Sequence, residues 1–295
     1  MRESFSSYYR PTDEELRDLW QESRFILDGT VLVNLHRYPD AVREGMLKLL
    51  GALASRLWVP HQAALEYHQA RRDLLLQRAQ SFRRVRDEVD EVFEGFRTAL
   101  ESLAIERDRS VQGLERRFKN LMKTLEEFEQ EALETLPGDD LQKELDALLE
   151  GRIGSPPRSR RALERLCEEC KERYAQRRPP GYAEGGEGAY LCRGLSIEQR
   201  YAPMVLWKQI LEQVQSDDAF KSVILVTDRQ GEDWWVCDAR GRPTATPRPE
   251  LIEEVVSVDG AKRFYMYDSL GFASAAGEYL QLQIKPKALA ELQAF

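Results

Sequence analysis

The chain has 295 residues, 42% of them apolar and 32% charged, with a formal net charge of −8. That length supports one large or two modest domains, and the acidic balance argues against wholesale wrapping of nucleic acid while leaving room for a local basic surface. No stretch reaches the roughly 18 consecutive apolar residues of a membrane helix, and Met1 to Arg10 lacks an apolar signal core, so a cytoplasmic protein without membrane contact is expected.

In chain order, Thr12 with Glu15 three residues later forms a capping-box pattern ahead of Leu16, Leu19 and Trp20, which predicts a first helix. Phe25-Ile26-Leu27 then reads as a strand running into Asp28, and the apolar run resumes through Val33 to Tyr38. A helix is expected from about Asp40 to Leu53, followed by a short strand, Leu57-Trp58-Val59, closed by Pro60. This is a βαβ outline and favours a parallel sheet. Pro60 suits the first turn of the next helix, which carries Glu66 near its start.

From Phe82 the apolar residues fall at alternating steps of three and four: Phe82, Val85, Val89, Val92, Phe96, Ala99 and Leu103. After the polar break Glu106 to Ser110 they resume at Val111, Leu114, Phe118, Leu121, Leu125, Phe128 and Ala132. Such a seam needs an apolar partner. One unbroken helix from Pro60 to Leu136 would exceed roughly 100 Å, so an antiparallel helical hairpin is favoured, with self-association or a protein partner on its seam as the alternative. Pro137-Gly138 ends it, Leu141 to Leu149 is a short helix, and Gly151 to Pro157 is a linker. Domain boundaries follow: 1–80, the hairpin insertion 81–150, and 151–295.

Arg158 to Arg178 is helical and basic, but interspersed glutamates make a solvated, salt-bridged face as good a reading as nucleic-acid contact. Cys167 and Cys170 form a lone Cys-x-x-Cys within that helix, with no second pair or nearby histidine, so incidental thiols are favoured over zinc. Pro179 to Gly188 is a glycine-rich loop without the spacing of a phosphate cradle. Pro203 opens a helix through Val214, and Val223-Ile224-Leu225-Val226 is a buried strand ending at Thr227-Asp228. Pro243 to Pro249 reads as a turn, Glu250 to Val256 as a short helix, Arg263 to Tyr267 as a strand, and the remainder as a weak tail.

Ligands of open α/β sheets sit at the carboxyl ends of the strands. Asp28, Glu66, Asp228 and Asp233 are therefore four candidate carboxylates for one rim. Such a cluster repels itself, which raises some of its pKa values, and hard Mg²⁺ or Mn²⁺ ions relieve the repulsion. Metal-assisted phosphodiester hydrolysis is the chemistry this points to. The plain alternative is that strand-terminal aspartates cap the next helix.

Phe25-Ile26-Leu27-Asp28 through Asn34-Leu35-His36-Arg37-Tyr38 resembles the opening motif of the PIN-like nucleases, especially a large bacterial group with a long helical insertion. Trp58-Val59-Pro60-His61-Gln62 to Glu66-Tyr67-His68 is similar to the second motif of that group. Pro180-Gly181-Tyr182, Leu206-Trp207-Lys208-Gln209-Ile210 and Val226-Thr227-Asp228 to Glu232-Asp233-Trp234-Trp235 are similar to later ones. The resemblance implies a PIN-like three-layer α/β/α fold with a central parallel sheet and an inserted helical hairpin. It also implies a metal-dependent endoribonuclease using Mg²⁺ or Mn²⁺ on single-stranded RNA, of the kind found among toxins and defence effectors.

Several polar positions depart from that pattern. Thr30 stands where Asn or Ser is common, Pro203 where an acid is expected, and Glu184 with glycines where the loop usually carries Asp and Lys. Arg229 and Gly231 replace an Asp and a Lys. Two readings follow. Glu184, or else Glu187 or Glu198, supplies the missing ligand; or Arg229 substitutes for metal charge, leaving a module that binds RNA or a protein partner without cutting.

Overall fold

The computed structural model describes residues 1–2, 5–102, 109–135, 138–192, 194–282 and 284–294. The chain divides into two compact units, one formed by Met1–Tyr67 with Asp146–Phe295 and the other by His68–Leu145.

The first unit opens with α1 (Asp13–Glu22), whose N-terminus is closed by the expected capping box: Thr12 Oγ1 accepts from the Glu15 amide, and the Thr12 amide donates to Glu15 at 2.7 Å. There follow β1 (Arg24–Leu27), α2 (Gly29–Asn34), α3 (Asp40–Ala52), β2 (Leu57–Trp58), and α4 (His61–Ser102), which continues into the second unit. After α5 (Arg109–Glu134) and α6 (Asp140–Leu149) come α7 (Arg160–Ala175), β3 (Ala189–Cys192), β4 (Leu195–Glu198), α8 (Ala202–Ser216) and β5 (Ser222–Val226). The chain then runs through β6 (Trp235–Cys237), β7 (Pro243–Pro247), α9 (Pro249–Val256), β8 (Arg263–Tyr267), α10 (Ser269–Tyr279) and α11 (Pro286–Ala294).

Four strands form one parallel sheet in the order β2-β1-β5-β8. Register places Phe25 beside Ile224 and Ile224 beside Tyr265, so side chains of one parity share a face. On that face α1 and α10 pack through Trp20, whose ring lies 5.1 Å from Phe25 and 5.5 Å from Phe272. On the other face, Trp207 of α8 meets Phe264 at 5.7 Å. Every residue of β5 is buried, as expected of a central strand covered on both sides. The α/β fold with a central parallel sheet is thus a three-layer arrangement.

Three stretches differ from the sequence reading. Pro243 to Pro249 is not simply a turn: β7 pairs antiparallel with β6, with Pro247 opposite Trp235 and Pro243 opposite Cys237. Its prolines stand at the strand's two ends, where a missing N–H is tolerated. The tail after Tyr267 is helical, because Asp268 caps α10 by accepting from the Gly271 amide and because Phe272, Ala273 and Ala276 bury against the core. The β3–β4 hairpin carries no strong strand pattern; Tyr190 and Ile197 bury while Leu191 is exposed.

In the second unit, α4 and α5 run antiparallel. Phe82 packs on Phe128 with centroids 5.4 Å apart and Phe93 stacks on Phe118 at 4.3 Å. Between the helices, Glu129 accepts from Arg83 at 2.8 Å and Arg86 at 2.9 Å, and Arg71 pairs with Asp139 at 3.0 Å. Leu103, Glu106 to Asp108 of the polar break, Leu136 and Pro137 lie outside the described residues. Among the described residues no helix is long and apolar enough to cross a membrane.

Gly29 is the point where the turn after β1 touches α4. A Cβ there would lie 2.6 Å from the Ala63 carbonyl oxygen and 3.2 Å from Glu66 Cβ. Overpacking against backbone costs about 1–3 kcal/mol, so Gly29→Ala is expected to lower stability by that amount in denaturant unfolding. Gly51→Ala, which meets nothing within 4 Å, serves as the control.

Candidate functional site

β1 and β5 are adjacent and parallel, so Asp28 and Asp228 emerge at the same edge of the sheet. Asp28 occupies the N-cap position of α2, yet its side chain caps no helix amide. Its Oδ2 instead accepts from Thr227 Oγ1 at 2.6 Å, Thr30 Oγ1 at 3.0 Å and Arg229 Nε at 2.8 Å, while Oδ1 faces Arg229 Nη2 at 3.4 Å. Asp28 is fully buried and Arg229 is 9% exposed.

Arg229 is the centre of the site. Beyond Asp28, its Nη2 donates to Glu66 Oε2 and its Nη1 to Glu184 Oε2 at 2.5 Å. Glu66 also accepts from Gln62, one turn earlier on α4, at 3.1 Å, and Gln62 in turn accepts from Tyr190 Oη at 3.2 Å. Trp234 Nε1 donates to the second oxygen of Glu184 at 2.5 Å, and the guanidinium carbon lies 5.7 Å from the Trp234 ring.

The loop bearing Glu184 is held from below. Arg173 donates to the Pro179 carbonyl and pairs with Glu254 at 2.6 Å, and Glu254 also accepts from Trp207 at 2.9 Å. Gly181 has φ +93 and lies so close to the Tyr174 hydroxyl that any Cβ would collide with it. The Ala183 amide donates to Asp233 at 3.0 Å.

Of the acids expected at this rim, Asp28, Glu66 and Glu184 converge on Arg229, and Asp228 and Asp233 do not join them. Asp228 turns toward α2 and α10, accepting from Asn34 at 2.7 Å, from Ser269 Oγ at 2.8 Å and from the Ser269 amide at 2.8 Å. Asp233 is fully buried and holds the Glu184 loop through Ala183. Glu187 is exposed, and Glu198 pairs with Arg200 at 2.8 Å. Thr227 stood inside a recognised motif without a role of its own, and the supporting hydroxyl of Ser269 carried no motif signal, since a strand-flanking Ser is commonplace.

Burial alone would push the Asp28 carboxyl up, but the Arg229 guanidinium and the Thr227 and Thr30 hydroxyls hold it below its ordinary value. Burial raises Glu66, and the charges of Asp28 and Glu184 add to the rise against the pull of Arg229. Burial likewise raises Glu184 despite Arg229. For Arg229 itself burial disfavours the charge, and the three carboxylates more than reverse that.

The family of the chain follows from more than this geometry. A family model described as a PIN like domain matches residues 24–251, which contain β1 through the start of α9 and include Asp28, Glu66, Glu184, Asp228, Arg229 and Asp233. The chain belongs to the PIN-like domain family. No curated protein and no solved structure matches it. PIN-like domains are commonly nucleases and typically use divalent metals. The oxygens of this PIN-like centre are instead turned to a guanidinium: Mg²⁺ demands near-octahedral oxygen ligands at about 2.0–2.1 Å, and Arg229 stands between the carboxylates that would supply them. Among the described residues no three His, Cys, Asp or Glu side chains are grouped to hold a metal. The residues as arranged do not fit the ion.

Removing one partner of a buried ion pair leaves uncompensated charge and costs about 3–5 kcal/mol. Arg229→Met is therefore expected to destabilise the chain by that much at neutral pH in denaturant unfolding, and adding Asp28→Asn to recover part of the loss.

The carboxyls also set a pH dependence. Glu66 lies above its ordinary 4.5 in the folded chain, so the stability it contributes is full below that value and lost as pH rises through its folded pKa. Asp28 lies below its ordinary 3.8, so its contribution is held above that value and lost as pH falls through its folded pKa. Melting temperature is expected to peak in mildly acidic buffer, and Glu66→Gln to show a smaller fall between pH 5 and pH 8 than the parent chain.

Proposed function

We propose that this PIN-like chain binds single-stranded RNA without cutting it, and that Arg229 supplies permanently the positive charge that a divalent ion supplies in a working nuclease of this fold. The observation that carries the reading is the single guanidinium bonded to Asp28, Glu66 and Glu184 together. Two sequence features and one set of contacts support it. Arg229 and Pro203 stand where the family resemblance has acids, and Asp228 is engaged with Asn34 and Ser269 instead of facing the centre. An arginine remains charged at any working pH, so the positive side of the compensation is permanent.

The same convergence of Asp28, Glu66 and Glu184 favours one second reading, a Mg²⁺- or Mn²⁺-dependent endoribonuclease in which Arg229 leaves the cluster.

Labelled single-stranded RNA incubated with the chain in EDTA, Mg²⁺ or Mn²⁺ separates the two. No cleavage above that of Asp28→Asn is expected, together with retention of RNA in a gel-shift assay. Because only an ion that binds the folded chain stabilises it, Mn²⁺ is expected to move the melting temperature by less than about 1 °C. Mn²⁺-dependent cleavage that disappears in Asp28→Asn would overturn the proposal in favour of the second reading. Failure to retain RNA would leave a protein as the partner of a non-cutting module.

A further inference from the structure

The opposite edge of the sheet has the reverse charge. Each strand there begins beside a base: Arg24 opens β1, Arg56 precedes β2, Lys221 precedes β5 and Lys262 precedes β8. All four line one open depression of about 540 Å³, against two carboxylates, Glu22 and Asp218. Lys221 pairs with Asp218 at 2.9 Å, and Glu22 lies 4.0 Å from Arg263, so both acids are already engaged.

Arg24, Arg56 and Lys262 have no carboxylate within 4.0 Å among the described residues. The two arginines are nevertheless fixed in place. Arg24 donates to the Ser55 carbonyl, and Arg56 donates to the Trp20 and Gln21 carbonyls at 2.7 and 2.9 Å while its guanidinium lies over the Phe25 ring at 5.0 Å. Burial and the neighbouring Arg24 charge lower the Arg56 pKa. Arg24, Arg56 and Lys262, three like charges lining one depression with no carboxylate within 4.0 Å of any of them among the described residues, in a chain of net charge −8, form a preorganised site for an anion. Paired guanidiniums match the tetrahedral oxygens of phosphate.

We infer that this basin, formed where the four parallel strands begin, binds phosphate groups, either of an RNA backbone or of a small phosphate-bearing anion. The inference goes beyond the reading of the acidic centre and holds whether or not that centre cuts. Its position also keeps bound phosphates at the far edge of the sheet from the buried carboxylates.

The test compares the full-length chain with Lys221→Glu/Lys262→Glu. Lys123→Glu/Lys143→Glu, which makes the same change of net charge on exposed positions of the helical unit, is the control. Fluorescein-labelled single-stranded RNA is titrated in EDTA, so that cleavage plays no part, and inorganic phosphate and pyrophosphate are added separately while melting temperature is followed. Lys262 is exposed and Lys221 is partly exposed, so both variants should fold; Lys221→Gln/Lys262→Gln gives a milder second pair.

For an RNA backbone, affinity is expected to fall at least about tenfold in the basin variant, with a salt slope smaller by about two, and to stay unchanged in the control. For a small anion, phosphate or pyrophosphate raises the melting temperature of the parent and the control but not of the basin variant. Equal binding by all three proteins, equal loss in both variants, or no response to RNA or phosphate overturns the inference. None of these results bears on cleavage: loss of binding in the basin variant alone concerns the basin, whereas a parent chain that fails to bind RNA counts against the RNA-binding half of the proposed function as well.

Discussion

Everything at the carboxyl-terminal edge of the sheet depends on one buried cation meeting three carboxylates. Asp28, Glu66 and Glu184 could not lie so near one another in an apolar setting unless protons, a metal or a fixed positive group offset their repulsion. Arg229 does this with a planar fork that reaches all three at once. The result is uneven: Asp28, with two supporting hydroxyls, keeps its charge more readily than Glu66 or Glu184, which burial pushes toward the neutral acid.

The fold delivers these groups through ordinary constraints. Parallel pairing of β1 with β5 brings Asp28 and the Thr227-Asp228-Arg229 turn to one edge. The absence of a side chain at Gly29 allows α4 to approach, and that approach carries Glu66 to Asp28. Glu184 arrives on a loop braced by Arg173, Glu254 and Asp233. Asp228 and Asp233, which in a strand-end reading look equivalent to Asp28, hold α2, α10 and this loop in position.

The two edges of the sheet therefore differ in kind. At one, carboxylates are neutralised from within, Asp28 buried and Glu66 and Glu184 partly so. At the other, Arg24 and Arg56 are held to backbone carbonyls, Lys262 has no acid partner among the described residues, Lys221 pairs with the exposed Asp218, and the group remains accessible. A net acidic chain can thus carry a locally positive surface, because electrostatic attraction at contact distance is set by the nearest few charges and is screened beyond about 10 Å in ordinary salt.

The sequence by itself determined the four strands of the parallel sheet, the first helix cap, the long helices, the family and the residues at which the chain departs from that family, because apolar periodicity, capping chemistry and motif order are local properties. β7 and the terminal helices were hidden: prolines at strand ends imitate a turn, and a helix rich in Gly, Ser and Ala shows little amphipathic pattern until it is packed. Arg229 and Glu184 also stood out as substitutions. Only the tertiary structure decided that they meet each other, and that Asp228 turns away. Those outcomes rest on strand register, on a missing Cβ at Gly29 and on which hydroxyl or amide lies nearest each carboxylate in space, and none of these is a property of residues that are neighbours in sequence.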